Sequence, residues 1–167
     1  MDFTAKLENF NTKLWTYHIK VPKPIAKHYL DQGDKRVVCT LNENIQIQCA
    51  IMSAGDGVYF ITINKKLRDQ LKLKEGSKIN VALEKDKSEY GLPFPEELKE
   101  VLDQDTVGNK FFLALTPGKQ RNIIYYVSQV KNTDLRIHRA MIFLEHLKRN
   151  KGKLNFREIL DDFQKKP

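Results

Sequence analysis

Apolar and polar residues alternate through most of the first half of the chain. The runs Phe3-Ala5-Leu7, Trp15-Tyr17-Ile19-Val21, Val37-Cys39-Leu41, Ile45-Ile47-Cys49-Ile51, Tyr59-Ile61-Ile63 and Ile79-Val81-Leu83 keep the period of two that marks a half-buried strand. Six strands are predicted, and they fall into two sets of three. Residues 3–41 and 45–83 align without a gap at an offset of 42, and 12 of the 17 apolar residues in the first copy meet apolar residues in the second. Only four of the 39 aligned pairs are identical, so the repeat is one of pattern. Six strands of one apolar parity, in two equivalent halves, predict a closed β-barrel with an internal pseudo-two-fold axis, since open three-stranded sheets would leave edges unpaired. Between the second and third strands of each copy lies a short basic, helix-permitting run, 22–30 and 64–71.

Beyond Lys87 the period changes to that of helices, which divides the chain into a barrel domain over 1–88 and a helical region over 89–167 packed on it, an α+β protein overall. Glu96 and Glu97 suit a first turn after Pro95, a short helix follows Asp105, and Thr116 with Pro117 opens a helix running to about Lys131. Thr133 or Asp134 caps a longer helix to about Arg149, buried through Ile137, Met141, Leu144 and Leu147 and ended by Gly152. Asn155 and Glu158 form a capping box for a last amphipathic helix that shows Phe156, Leu160 and Phe163.

Composition narrows the class. A chain of 167 residues with 41% hydrophobic content supplies a core for a small domain and a helical appendage. No run approaches the roughly 20 apolar residues of a membrane helix, and the polar start Met1-Asp2-Phe3-Thr4 is unlike a signal peptide, so a cytoplasmic location is expected. Cys39 and Cys49 share the parity of Val37 and Ile47, which predicts packed thiols in place of a disulfide or metal site.

The net charge of +8 is uneven: residues 1–88 carry +5, 89–116 carry −4 and 117–153 carry +7. Lys119, Arg121, Lys131, Arg136, Arg139, Lys148 and Arg149 make that last segment a candidate surface for nucleic acid or another anionic partner, with Arg136, Arg139, Phe143 and His146 sharing one helical face. A solvated face, neutralised in part by the acidic stretch, is the competing reading. The barrel adds Lys23 and Lys27 in one copy and Lys65, Lys66 and Arg68 in the other. Trp15, Asp56 and Tyr59 are candidates for a small-ligand or enzymatic pocket at the barrel mouth. The link Ser53-Ala54-Gly55-Asp56-Gly57 reads as a hairpin loop, without the helix-opening pattern of a phosphate cradle. His18 and Phe60 alternate outward, Phe60 as a docking point for the helices. The four histidines show no metal spacing and no nucleophile–base pair stands out, so no catalytic set, metal or cofactor is expected.

Several of these runs together carry a resemblance: Trp15-x-Tyr17-x-Ile19-x-Val21-Pro22, Gly55-Asp56-Gly57-x-Tyr59, Asn64-Lys65-x-Leu67-Arg68, Leu73-Lys74-Glu75-Gly76, Leu115-Thr116-Pro117, and Lys131 through Arg136 with Arg139. In this order they resemble the YdeI/OmpD-associated family, also labelled bacteriocin-protection proteins, over nearly the whole chain to about residue 150. The resemblance implies an N-terminal domain of unknown function and a role in stress or bacteriocin tolerance. It also implies a double-split barrel like that of AbrB-like regulators, whose signature is matched by Leu71, Leu73, Gly76 and Ile79. Where the family commonly carries Glu-Thr-Arg, this chain has Thr133-Asp134-Leu135-Arg136. The expectation is therefore a non-enzymatic binding protein for an anionic partner such as nucleic acid. The alternatives are a small-ligand or enzymatic site at the barrel mouth and a protein-interaction scaffold displaying Phe143, Phe156 or Phe163.

Overall fold

The computed structural model describes residues 1–11 and 17–164. They form two compact units, Met1–Gly91 and Leu92–Pro167. The first holds strands β1 (Asp2–Asn9), β2 (Tyr17–Val21), β3 (Arg36–Leu41), β4 (Ile45–Ala50), β5 (Met52–Gly55), β6 (Val58–Thr62) and β7 (Lys78–Lys85), with helices α1 (Lys23–Leu30) and α2 (Lys65–Gln70). The strands make one antiparallel sheet in the order β4-β3-β7-β1-β2-β6-β5.

This corrects the expected closed six-stranded barrel: the sheet has seven strands and is open, an α+β half-barrel arrangement. The run predicted as one strand over 45–51 is interrupted at Ile51, whose N–H still bonds Lys35 O at 2.9 Å in the β3 register before the chain passes to β6. The part before it pairs with β3 and the part after it with β6. These two parts are the outermost strands of the sheet. One residue between them is too few for the hairpin loop that would let β4 and β5 pair with each other.

The alternating residues do face a common core. Leu7, Ile19, Val37, Cys39, Leu41, Ile61, Ile79 and Leu83 are fully buried together, and Ala26 and Tyr29 of α1 and Leu67 of α2 join them. The Tyr29 hydroxyl donates to Leu83 O at 2.6 Å, and burial beside Glu84 and Asp2 pushes its pKa up. A hydrogen bond to Cys49, with burial second, likewise holds the Cys39 thiol well above the ordinary thiol range.

Register makes the repeat concrete and refines it. In the β2–β6 ladder Ile19 faces Ile61, and in the β3–β7 ladder Thr40 faces Ala82; each residue meets its own counterpart 42 positions on, the signature of a two-fold axis. The first strand of each copy is offset differently. Ala5 faces Ile79 while Cys49 faces Val37, the counterpart of Ile79, so Ala5 corresponds to Cys49 at an offset of 44. By the same rule Leu7, opposite Ile19, corresponds to Ile51, which is level with Ile61. The ungapped pairs Phe3/Ile45, Ala5/Ile47 and Leu7/Cys49 are therefore each displaced by two, because the link to the second strand is two residues shorter in the second copy. Burial agrees: Leu7 is 0% and Ile51 4% exposed.

The second unit is built around one helix. Its elements are α3 (Glu96–Gln104), α4 (Thr106–Leu113), α5 (Pro117–Ser128), α6 (Thr133–Arg149) and α7 (Phe156–Gln164), and α6 is packed by each of the other four. Asn132, rather than Thr133 or Asp134, caps α6, its Oδ1 accepting from Leu135 N at 3.0 Å. The buried face of α6 is Ala140, Phe143, Leu144, His146 and Leu147; Met141, expected inside, is exposed. Gly152 ends the helix at φ +83, its N–H bonded to Leu147 O at 2.7 Å, a left-handed position where a side chain would be strained. Asn155 and Glu158 join through a 2.8 Å hydrogen bond at the start of α7.

Candidate functional site

Four of the predicted cations lie on α6, and each meets a neutral or acidic acceptor, although Arg149 stays exposed. The face expected to present Arg136 and Arg139 also carries Phe143 and His146, which are fully buried. Arg136 Nε donates to Val130 O at 2.8 Å and its Nη1 lies 3.3 Å from Glu97. Glu97 is held below the usual carboxylate range by its own backbone N–H and by Arg136, against the opposing effect of burial. Arg139 donates to Tyr126 O at 2.8 Å and lies 5.0 Å from the Phe163 ring centre. Lys148 pairs with Asp105 at 2.7 Å and with Glu145, and Arg149 with Asp162 at 2.9 Å. The Lys148 hydrogen bond holds the Asp105 carboxyl down and raises Lys148 in return. Lys119, Arg121 and Lys131 make no ion pair among the described residues.

The phenylalanines expected as a docking surface are also engaged. Phe143 lies 5.5 Å from Phe163 and 6.3 Å from Phe156, and Phe156 lies 5.5 Å from Tyr126. The exposed apolar residues of the second unit are instead Val107, Leu113, Tyr125, Leu135, Met141 and Leu160. On the strand unit, Phe60 and His18 are each 1% exposed, and Phe10 stacks on His18 at 3.5 Å, so this outward pair sits inside an aromatic cluster.

Of the barrel cations, Arg68 donates to Ile63 O at 3.0 Å and stacks 3.9 Å over the Tyr17 ring. Lys65, Lys66 and Lys27 are exposed. Of the predicted mouth residues, Trp15 lies outside the described residues, Asp56 is exposed in the β5–β6 turn at φ +49, and Tyr59 lines a cleft.

That cleft, about 420 Å³, opens where β1 and β2 diverge beside β6, and its lining includes Thr4, Lys6, Lys20, Gly57 and Tyr59. Glu8 also lines it and pairs with Lys20 at 2.7 Å. Lys6 is exposed and makes no ion pair among the described residues. Lys23 of α1 stands at the cleft's rim beside Gly57: its Nζ lies 3.2 Å from where a Cβ on Gly57 would stand. Gly57 also sits at φ +73, a left-handed position in the turn that favours glycine. Pro22, another lining residue, is the N-cap of α1, which has no side-chain cap and no acid in its first turn; its amide dipoles add to the positive potential. Lys6, Lys20 and Pro22 were not singled out by the sequence pattern. Each looks like an ordinary strand or helix-start residue until the strands separate.

Among the described residues no group of three or more His, Cys, Asp or Glu could hold a metal ion. No described helix is long and apolar enough to cross a membrane.

Residues 92–150 match the family model described as bacteriocin-protection, YdeI or OmpD-associated, and residues 3–83 match that of a domain of unknown function (DUF1905). No curated protein and no solved structure matches the chain.

Proposed function

The chain belongs to the YdeI/OmpD-associated, bacteriocin-protection family, and we propose that this member is a binding protein that takes an anionic partner in the cleft between β1, β2 and β6. The observation that carries this reading is the contrast between the two cationic regions. The arginines and lysine of α6 already satisfy acceptors within their own unit, whereas Lys6 lines a concave, solvent-open surface beside the Glu8–Lys20 pair, and Lys23 stands next to its Gly57 rim. Lysine ammonium groups, a phenol and backbone amides are a set that holds carboxylate or phosphate oxygens. Link by link, the alternation of β1 and β2 places Lys6 and Lys20 on the cleft, and the start of α1 sets Lys23 beside Gly57 at its rim. A contribution to bacteriocin or stress tolerance accords with the family description, with binding as the molecular event.

Fluorescence anisotropy with a labelled 20-nucleotide DNA single strand and with labelled poly-glutamate tests this. Binding to one or both is expected at 50 mM salt, weakening severalfold at 200 mM as a few contacts release counterions. The double variant Lys6→Glu/Lys23→Glu abolishes it, and Lys119→Glu/Arg121→Glu on α5 leaves it unchanged. No binding of either polyanion at low salt, or full affinity in the Lys6→Glu/Lys23→Glu protein, overturns the reading.

A further inference from the structure

The floor of the cleft is a strand edge. Leu83 N donates to Met1 O and Leu7 N to Ser77 O, so the odd-numbered residues of β1 direct their backbone groups to β7. In an antiparallel ladder the alternate residues then point the other way. For Glu8 that other side is occupied by His18 of β2, but the β1–β2 register ends at Leu7 opposite Ile19. Pro22 has no N–H to continue it, and α1 begins at Lys23. The N–H and C=O of Thr4 and the N–H of Lys6 face the cleft with no described strand beside them. Thr4 and Lys6 are exposed.

Resting on the anion-binding reading above, we propose that the cleft binds an extended acidic peptide segment by strand addition to the edge of β1 at Thr4. Alternating donors and acceptors at Thr4 match an extended backbone, which a nucleic acid cannot supply. Lys6 and Lys23 flank the slot and would meet carboxylates on alternate side chains of the incoming strand. A lysine on an edge also discourages pairing with neutral strands, so the same side chain that admits an acidic segment rejects an apolar one.

The probe is a fluorescein-labelled, end-capped Glu-Val-Glu-Val-Glu peptide, with two analogues N-methylated on alternate residues: one on both valines, the other on the three glutamates. Only one alternate set can face β1, so one analogue should lose at least tenfold in affinity while the other keeps it. Thr4→Pro, which removes an N–H not used by the β7 ladder, should keep the melting temperature within a few degrees and lose at least tenfold in peptide affinity. Ala5→Pro, which cuts the ladder, should instead lower the melting temperature. The strand-addition proposal is overturned if both methylated analogues bind like the parent, or if the DNA strand or poly-glutamate binds and the peptide does not; the anion-binding reading survives either result. Loss of binding to every probe, poly-glutamate included, removes both.

Discussion

Ile61 stands directly across the β2–β6 ladder from Ile19, the residue that occupies its own place in the other half of the strand unit. Both are fully buried. Around this pair the halves repeat with Leu7 matched to Ile51, so equivalent truncations should have similar costs. Leu7→Ala and Ile51→Ala are each expected to cost about 2–5 kcal/mol. Cys49→Ala, at the position an ungapped alignment would match to Leu7 but where the side chain is only half-buried, should cost less. Urea unfolding of the three variants checks the ranking.

Gly108 lies within α4, where alanine is intrinsically favoured over glycine by about 1 kcal/mol. Here a Cβ would stand 2.9 Å from Leu144 Cβ and 2.8 Å from Asp105 Oδ2. Gly108→Ala is therefore expected to destabilise the protein by about 1–3 kcal/mol, opposite in sign to propensity, as α4 is pushed from α6. A stabilised variant in thermal unfolding would refute that close approach.

Asp105 has two tasks, capping α4 through Gly108 N at 2.8 Å and pairing with Lys148 at 2.7 Å. Asp105→Ala removes both and should cost about 1–2 kcal/mol. Asp105→Asn keeps a capping oxygen and should cost only the pair, about 0.5 kcal/mol at this half-exposed site. Because the folded carboxyl is held down, its contribution is present above the unfolded value near 4 and is lost as pH falls through the folded value. Denaturation profiles of the wild type and Asp105→Asn should thus converge in strong acid.

His146 is buried and accepts a hydrogen bond from Asn155 N at Nε2, 3.0 Å away. Burial lowers its pKa, opposed by Glu158 and Asp162 and reinforced by Arg149. The unfolded chain therefore takes up a proton near pH 6.5 that the folded one refuses, and stability falls as pH drops below that point, at most about 1.4 kcal/mol per pH unit. The melting temperature should fall between pH 7.5 and 5.5, and His146→Gln should flatten that slope. An equally steep slope in the variant would assign it to another group.

Much of this fold was legible in the chain. Alternation located every strand but β5, whose Ser53 and Ala54 continue no apolar pattern and read as loop, and the shift to helical spacing located the helices within a few residues. Three further things escaped it, each for a physical reason. A two-residue slip preserves parity, so the offset of 44 between Leu7 and Ile51 is invisible to a period of two. The break at Ile51 depends on which neighbour each half of the run pairs with, a choice made by β3 and β6. On α6, long arginine stems let Arg136 and Arg139 sit at the margin of the buried face and still reach the carbonyls of Val130 and Tyr126, so cations there mimic a solvated stripe. The cleft was visible only in pieces: Tyr59, Lys23 and Gly57 each stood out for a different reason, and no local signal links them to one another or to Lys6.

The pairing of β1 with β7, Asp2 opposite Ala82, has a consequence for biosynthesis. During synthesis, β1 waits for its main lateral neighbour until β7, the last strand of the unit, has left the ribosome. Throughout that interval Phe3, Ala5 and Leu7 have no completed interior to enter, and the strand unit cannot mature segment by segment.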